Sequence, residues 1–319
     1  MNERFENGFA GRVAVVTGGG TGMGRELVRQ LASDGCDVAM CDVTAETMEE
    51  TKALVASDGS AGERAGEILT GVADVSDEAQ VVAFAEAVAQ WRPQVHLLFN
   101  NAGIGGGGTI VNGDRQQWEK VFNVCWYGVY YNTLAFLPQM LRAPVGHVIN
   151  TSSVNGFFAS IGPGFPHSAY SAAKFAVKGF TEALITDFEL NAPHLRASVV
   201  MPGHIGTSIA TNSDKLLGFD DIERLRRRYA DAGKDASGMS DQEIFDRMER
   251  RGQAFIESAP MTAAQAASTI LDAVRTDTWR VLVGHDAEII DRMVRNDPEG
   301  AYSRDFFRQW VAESADRES

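Results

Sequence analysis

Tyr170 and Lys174 stand four residues apart in "YSAAK". At 100° per residue a helix would leave their side chains about 40° apart around its axis, on one face. A phenol beside an ammonium is an acid/base pair: a free phenol titrates near pH 10, and a neighbouring cation lowers such a pKa by about 1 to 3 units. Alone the pair is weak evidence, because lysine is common on helix surfaces. The stretch ahead of it, "GFFASIGPGFPHS", is rich in Phe, Gly and Pro and unsuited to a helix, so it reads as a loop over the pair. Further upstream, "INTSS" ends an apolar run and offers the hydroxyls of Ser152 and Ser153.

A second group of residues could hold a phosphate-bearing ligand. "TGGGTGMG", residues 17–24, follows an apolar strand and opens a helix. Glycines there let the backbone turn tightly and approach a pyrophosphate, whose charge meets unpaired N–H groups and the positive end of the helix. The expected contacts are Gly18, Thr21, Gly22, Met23 and Gly24, although the spacing differs from the usual G-x-G-x-x-G fingerprint. Asp42 ends the next strand with Val43 beside it, about where a carboxylate would accept hydrogen bonds from an adenosine ribose. It would repel a 2'-phosphate, and neither Thr21 nor Cys41 offers a compensating cation, so the pattern favours NAD over NADP. A helix-capping role for Asp42 is the alternative. Asp74 and Val75 close a third strand and suit the adenine edge, with N-capping of the following helix an equal reading for Asp74. "NNAG", with Asn101, Ala102 and Gly103, suits a point where backbone passes close to a ligand.

The elements that must position these residues alternate along the chain. Short apolar, β-branched runs occupy residues 12–18, 37–43, 70–75, 95–103, 146–153, 196–203 and 280–285, and helical stretches residues 22–35, 77–91, 116–141 and 168–191. Several strands are apolar throughout their centres, as strands buried on both faces of a parallel sheet should be. The pattern implies an α/β, Rossmann-like doubly wound sheet of about seven strands with helices on both faces. It breaks near Thr207. Residues 208–260 are polar, and one amphipathic helix, "DQEIFDRMERRGQAFIES", is expected to cover the sheet's carboxyl edge as a lid. A last helix runs from Thr262 to the final strand. Residues 286–319 form a C-terminal extension whose Phe306, Phe307 and Trp310 are expected to pack on the domain or on another subunit.

The 319 residues, with 44% hydrophobic and 23% charged, suit one catalytic domain, 1–319, carrying these two additions. A net charge of −14 argues against nucleic acid or an anionic membrane as partner. Cys36, Cys41 and Cys125 lack C-x-x-C spacing and suggest neither a disulfide framework nor a metal site, which fits a cytoplasmic protein. The N-terminal residues do not read as a signal peptide, and no apolar stretch reaches membrane length.

In their order the motifs resemble those of the short-chain dehydrogenase/reductase family: "TGGGTGMG" for T-G-x-x-x-G-x-G, then "NNAG", "NTSS", "YSAAK" for Y-x-x-x-K, and "PGHIGT" for P-G-x-x-x-T. The resemblance covers about residues 10–207 and implies an NAD-dependent alcohol dehydrogenase in which Tyr170 is the general acid/base. Lys174 would hold the nicotinamide ribose and, with the oxidised nicotinamide, lower the phenol's pKa. Ser153 would bind the substrate oxygen, and Asn123, in "VFNVCWYG", would position a water behind Lys174. Pro202, Gly203, Ile205 and Thr207 match the step beside the nicotinamide. The family's members are commonly homodimers or homotetramers assembled through the long helices.

Ser153 and Tyr170 lie 17 residues apart, about four more than the family's usual spacing, so the loop between them should bulge on the substrate side. That brings Phe157, Phe158, Ile161, Phe165 and His167 near the pocket, with His204 facing the nicotinamide region either as lining or as a structural imidazole. Two apolar covers imply a bulky, largely apolar alcohol or ketone, aromatic, terpenoid or steroid-like. The run "RLRRR", Arg224 to Arg228, would serve instead a 3-oxoacyl thioester reductase by gripping an anion, or simply be a solvated face. A non-catalytic NAD(H)-binding sensor is the remaining alternative.

Overall fold

The structure, a computed structural model, describes residues 4–58, 65–111, 113–162, 165–231 and 235–315, with the side chains of residues 228, 230, 231, 314 and 315 also outside that description. In chain order the strands are β1 (Val13–Thr17), β2 (Asp37–Asp42), β3 (Ile68–Val72), β4 (Leu97–Asn100), β5 (Gly146–Thr151), β6 (Leu195–Pro202), β7 (Ile205–Gly206), β8 (Met261–Thr262) and β9 (Arg280–Val283). The helices are α1 (Gly22–Ser33), α2 (Ala45–Ser57), α3 (Glu78–Trp91), α4 (Arg115–Phe122), α5 (Gly128–Met140), α6 (Ser168–Asn191), α7 (Ile209–Leu216), α8 (Ile222–Asp231), α9 (Asp241–Glu257), α10 (Ala263–Arg275), α11 (His285–Asn296) and α12 (Arg304–Ala315).

Seven parallel strands form one sheet in the order β3-β2-β1-β4-β5-β6-β9, and β7 pairs with β8 apart from it. The chain winds outward from β1 in one direction through β2 and β3, then returns to place β4 on β1's other side. A crevice opens where the direction reverses, at the carboxyl ends of β1 and β4. Alternation along β1 explains its continuous apolar sequence: Val13 and Val15 join the core beneath α3, α5 and α6, while Ala14 and Val16 join the one beneath α1 and α10. No described helix is long and apolar enough to cross a membrane.

All seven expected strands occur, but β3 ends at Val72, so Asp74 and Val75 lie in the following turn. The single helix expected over residues 116–141 is interrupted: Asn123–Tyr127 form a π-turn between α4 and α5, with the Gly128 N–H donating to the Asn123 carbonyl. Residues 208–260 hold three helices, α7 to α9, rather than one; residues 232–234 of that segment lie outside the described residues. Helix α9 starts at a reciprocal capping box between Ser240 and Glu243 and buries Ile244 in the core.

The tail packs on its own domain. Ile289, Ile290 and Met293 of α11 and Phe306 of α12 close around Phe158. That placement corrects the expectation that Phe157 and Phe158 line the substrate pocket. Phe158 is 1% exposed within the tail cluster, and Phe157 packs there too, with the Arg280 guanidinium 5.9 Å from its ring centroid.

Candidate active site

The glycine turn is built tightly enough to exclude other residues. Gly18 adopts φ +68, and a Cβ there would lie 3.0 Å from the Ala102 Cα. A Cβ on Gly24 would come within 2.0 Å of the Gly18 carbonyl oxygen and 2.6 Å of the Asn101 Nδ2, so α1 can start against the turn only without one. Thr17 locks the turn to the "NNAG" segment: its hydroxyl oxygen accepts from the backbone N–H of Asn101 and of Ala102, each at 3.0 Å. The sequence alone did not single out Thr17.

Asp42 reaches back onto the turn, its carboxylate accepting from the Gly20 N–H at 3.0 Å and the Val43 N–H at 2.8 Å. Burial raises its pKa, and those N–H bonds oppose the rise. The N-cap of α2 is Thr44 and that of α3 is Asp77, so neither Asp42 nor Asp74 serves as the helix cap offered as their alternative role. Asp74 instead accepts from the N–H and hydroxyl of Ser76.

A cleft at this edge is lined by Gly18, Thr21, Gly22, Met23, Asp42 and Val43 from the first half of the sheet. Asp74, Val75, Asn101, Ala102, Gly103 and Thr207 line the rest of the expected set. The side chains of Pro202 and Ile205 are buried and line no part of it, Gly24 lies beneath the turn, and Gly203 packs against the Asp286 carboxylate. Lys120, Val124, Asn212 and Leu216 also line the cleft and were not foreseen. Asn212 donates to the Thr21 hydroxyl at 3.1 Å and Lys120 to the Leu216 carbonyl at 2.8 Å, so α4 and α7 close its outer wall. Lys120 and Val124 lie one turn apart beside Asn123, a helical spacing that could have flagged them; α7 gave no local signal. The cleft fits a dinucleotide: its floor is glycine backbone, and Asn101, one of its lining residues, carries a buried side-chain oxygen without a partner among the described residues.

The expected acid/base residues meet where β5 ends against α6. Lys174, 2% exposed, donates its ammonium to the Thr151 carbonyl at 2.8 Å, and its Nζ lies 5.4 Å from the Tyr170 ring centroid. Of the two serines, Ser152 donates to the Lys174 backbone carbonyl at 2.7 Å, whereas Ser153 hydrogen-bonds the Tyr170 phenol. The Ser153 oxygen also accepts from the Asn155 N–H at 3.1 Å, which leaves its proton to be donated.

Burial pushes the Tyr170 phenol above its usual pKa, only the Ser153 hydrogen bond pulling it down, and burial lowers Lys174. The lowering expected from Lys174 together with an oxidised nicotinamide concerns the cofactor-bound site. His167, just ahead of α6, places its ring centroid 4.8 Å from that of Tyr170, and burial brings its pKa down to about 4. Asn123 sits at the start of the π-turn, which packs against α6.

Other expected residues lie elsewhere. His204 is tied to the cover: its Nε2 is 2.8 Å from the Phe255 carbonyl of α9, and its N–H donates to Asp286 at 2.6 Å. Phe165 is 65% exposed, and the neighbouring Pro163 and Gly164 lie outside the described residues. Arg226 is spent on the Asp241 carboxylate and the carbonyls of Ala236 and Met239, so it joins α8 to the start of α9 rather than presenting a free charge. The Arg228 side chain lies outside the described residues.

Comparison with known proteins agrees with this geometry. Residues 12–216 match the short chain dehydrogenase family. The chain is 32% identical over 287 residues to an oxidoreductase of Mycobacterium tuberculosis designated SadH, covering 90% of this chain and 91% of that one. It is 35% identical over 222 residues to levodione reductase of Leifsonia aquatica, covering 69% and 79%. A short chain dehydrogenase/reductase of Burkholderia phymatum, solved in complex with NAD, superposes with a TM-score of 0.73 at 29% identity, covering 94% and 96%. A metagenomic short-chain oxidoreductase solved with NADP matches 61% of this chain and 83% of its own, with a TM-score of 0.54 at 30% identity. With its sheet, glycine turn and Ser-Tyr-Lys centre in place, the chain belongs to the short-chain dehydrogenase family of oxidoreductases.

Proposed function

We propose that this protein interconverts a bulky, largely apolar secondary alcohol and its ketone with NAD, using Tyr170 as general acid/base. The observation that carries the reading is the meeting of Ser153, Tyr170 and Lys174 beside the dinucleotide cleft. A dinucleotide held by the glycine turn and Asp42 would accept the hydride in its oxidised form and supply it in its reduced form. Ser153, whose oxygen accepts from the Asn155 N–H, would turn its proton from the Tyr170 phenol to the substrate oxygen. Tyr170 would donate its proton to a ketone oxygen in reduction and take the proton of the alcohol in oxidation. Lys174, with Asn123 on the adjoining π-turn, returns the proton from solvent.

Asp42 supports NAD over NADP, because a buried carboxylate at the ribose end of the cleft repels a 2'-phosphate. Arg25, the cation whose charge acts on Asp42, is committed to the Gly20 carbonyl at 2.9 Å and the Glu50 carboxylate at 2.8 Å. The apolar substrate class rests on residues 208–260 as a lid over a single catalytic domain. Leu217, Phe219 and Ile244 anchor that segment, and exposed Ile161 and Phe165 stand in the loop before Tyr170. The engagement of Arg226 removes the main support for a thioester reductase. Exposed Tyr127, Leu134 and Phe175 on α5, its adjoining π-turn and α6 support a homodimer or homotetramer joined through these helices.

The test is a matrix of NAD(H) and NADP(H) against aromatic, terpenoid, steroid and short aliphatic alcohols and ketones. Turnover of bulky apolar members with NAD(H) is expected. Exclusive use of NADPH, or of small polar substrates, overturns the reading.

A further inference from the structure

Helices α11 and α12 lie far along the chain from Ser153, yet the loop joining Ser153 to Tyr170 is built into them. Phe158 occupies a loop but is 1% exposed. Its ring stacks on Tyr302 at 5.2 Å between centroids and meets Phe306 at 5.5 Å, Phe307 at 5.9 Å and Trp310 edge-on at 6.2 Å. One residue on, the Ala159 N–H donates to the Tyr302 hydroxyl at 3.1 Å. An aromatic side chain enclosed by four others is a strong anchor for a segment with no regular structure of its own.

The anchor continues to the site through Asn155, which is 3% exposed. Its side-chain amide donates to the carbonyls of Phe158 at 2.9 Å and Ser160 at 3.0 Å, and its backbone N–H donates to the Ser153 oxygen at 3.1 Å. The last of these contacts ties the Ser153 oxygen, whose hydroxyl also hydrogen-bonds the Tyr170 phenol, to the anchored loop. The far side of the anchor is itself fixed. Asp291 of α11 pairs with Arg280 at the start of β9 and with Arg295, and Asp286 binds the His204 N–H after β6.

We propose that the C-terminal helices clasp the substrate loop through Phe158 and Tyr302 and thereby set the orientation of Ser153, with Asn155 as the link. This rests on the dehydrogenase reading, in which Ser153 binds the substrate oxygen. The four additional residues between Ser153 and Tyr170 lengthen the segment that must be held in place. The C-terminal extension supplies the surface that holds it, so the insertion and the extension form one device. Phe158, Asn155 and Tyr302 are positioning residues: none need touch the substrate.

The test combines kinetics, NADH affinity and amide exchange on the full chain for Phe158→Ala, Phe158→Met and Tyr302→Phe. Phe158→Ala is expected to lower kcat/KM for the ketone by about tenfold or more while leaving NADH affinity within about twofold, since small misplacement of a binding group is costly. Phe158→Met, which refills the space, recovers most of the loss. Tyr302→Phe, which removes one hydroxyl, lowers kcat/KM less and speeds exchange at the Ala159 amide. Unchanged kcat/KM in Phe158→Ala, or a parallel loss of NADH affinity, overturns the clasp. Exchange at the Asn155 amide separates this from failure of the dehydrogenase reading. If the unaltered protein reduces nothing, faster Asn155 exchange in Phe158→Ala still supports the clasp, and unchanged exchange overturns it.

Discussion

The Ser152 hydroxyl donates to the backbone carbonyl of Lys174 at 2.7 Å, while the Lys174 ammonium donates to the Thr151 carbonyl at 2.8 Å. Strand β5 and helix α6 are thus joined twice, with Ser152 committed to the junction and Ser153 left for the proposed chemistry. Ser152→Ala removes a buried bond between strand and helix and is expected to cost about 0.5 to 1.5 kcal/mol in urea unfolding with little change in kcat. Ser153→Ala should do the reverse, lowering kcat/KM by about a hundredfold at nearly constant stability. Equal kinetic effects from the two would refute the division.

Tyr170→Phe keeps the ring beside His167 and removes the proton. Turnover is expected to fall by about a hundred- to ten-thousandfold with NADH binding preserved, the range for loss of a general acid. Near-normal turnover in a variant that binds NADH would end Tyr170's role.

At the glycine turn, Gly24→Ala places a methyl group 2.0 Å from the Gly18 oxygen. Something must shift, and cofactor affinity is the quantity that should suffer, read by NADH fluorescence titration. Asp42→Ser retains a hydrogen-bonding group for the Gly20 N–H but removes the charge. It should raise the KM for NAD by about tenfold, reflecting a lost charge-assisted bond, and narrow the preference over NADP.

Three histidines, His96 and His147 buried and His167 half-buried, predict an acid limb of stability. Burial brings His96 and His167 down to about 4 and His147 to about 3, from an ordinary value of 6.5. The His147 Nδ1 is 3.9 Å from the Asp277 carboxylate, too far for a hydrogen bond, so burial wins over that charge. Between these values and 6.5 the unfolded chain binds protons that the native state does not, so stability rises with pH. The urea midpoint should therefore climb from about pH 4 to about pH 6.5 and then level off, whereas a flat profile across that window would contradict neutral histidines.

The parts legible in the sequence were those encoded by neighbours along the chain. The strand before "TGGGTGMG", the turn's glycines and the helical spacing of Tyr170 and Lys174 each follow from a few adjacent residues, and the structure places the predicted turn at the sheet's reversal point. What stayed hidden depends on partners far away in sequence. Phe158 reads as a pocket aromatic until Phe306 and Trp310 arrive from the other end of the chain. Arg226 reads as a free cation until Asp241 is brought beside it. Asn212 and Leu216 join the cleft only because α7 folds back over it.

The π-turn at Asn123–Tyr127 carries one residue more than regular winding needs. Its wider winding takes up that residue, so removing one of the five would leave an ordinary helix with its two halves in nearly the same orientation. Lys120 would still reach the Leu216 carbonyl, and Trp126 and Tyr130 would still meet Phe180. This stretch should therefore tolerate the loss of one residue better than the gain of one, because a further insertion has no regular winding left to fall back on.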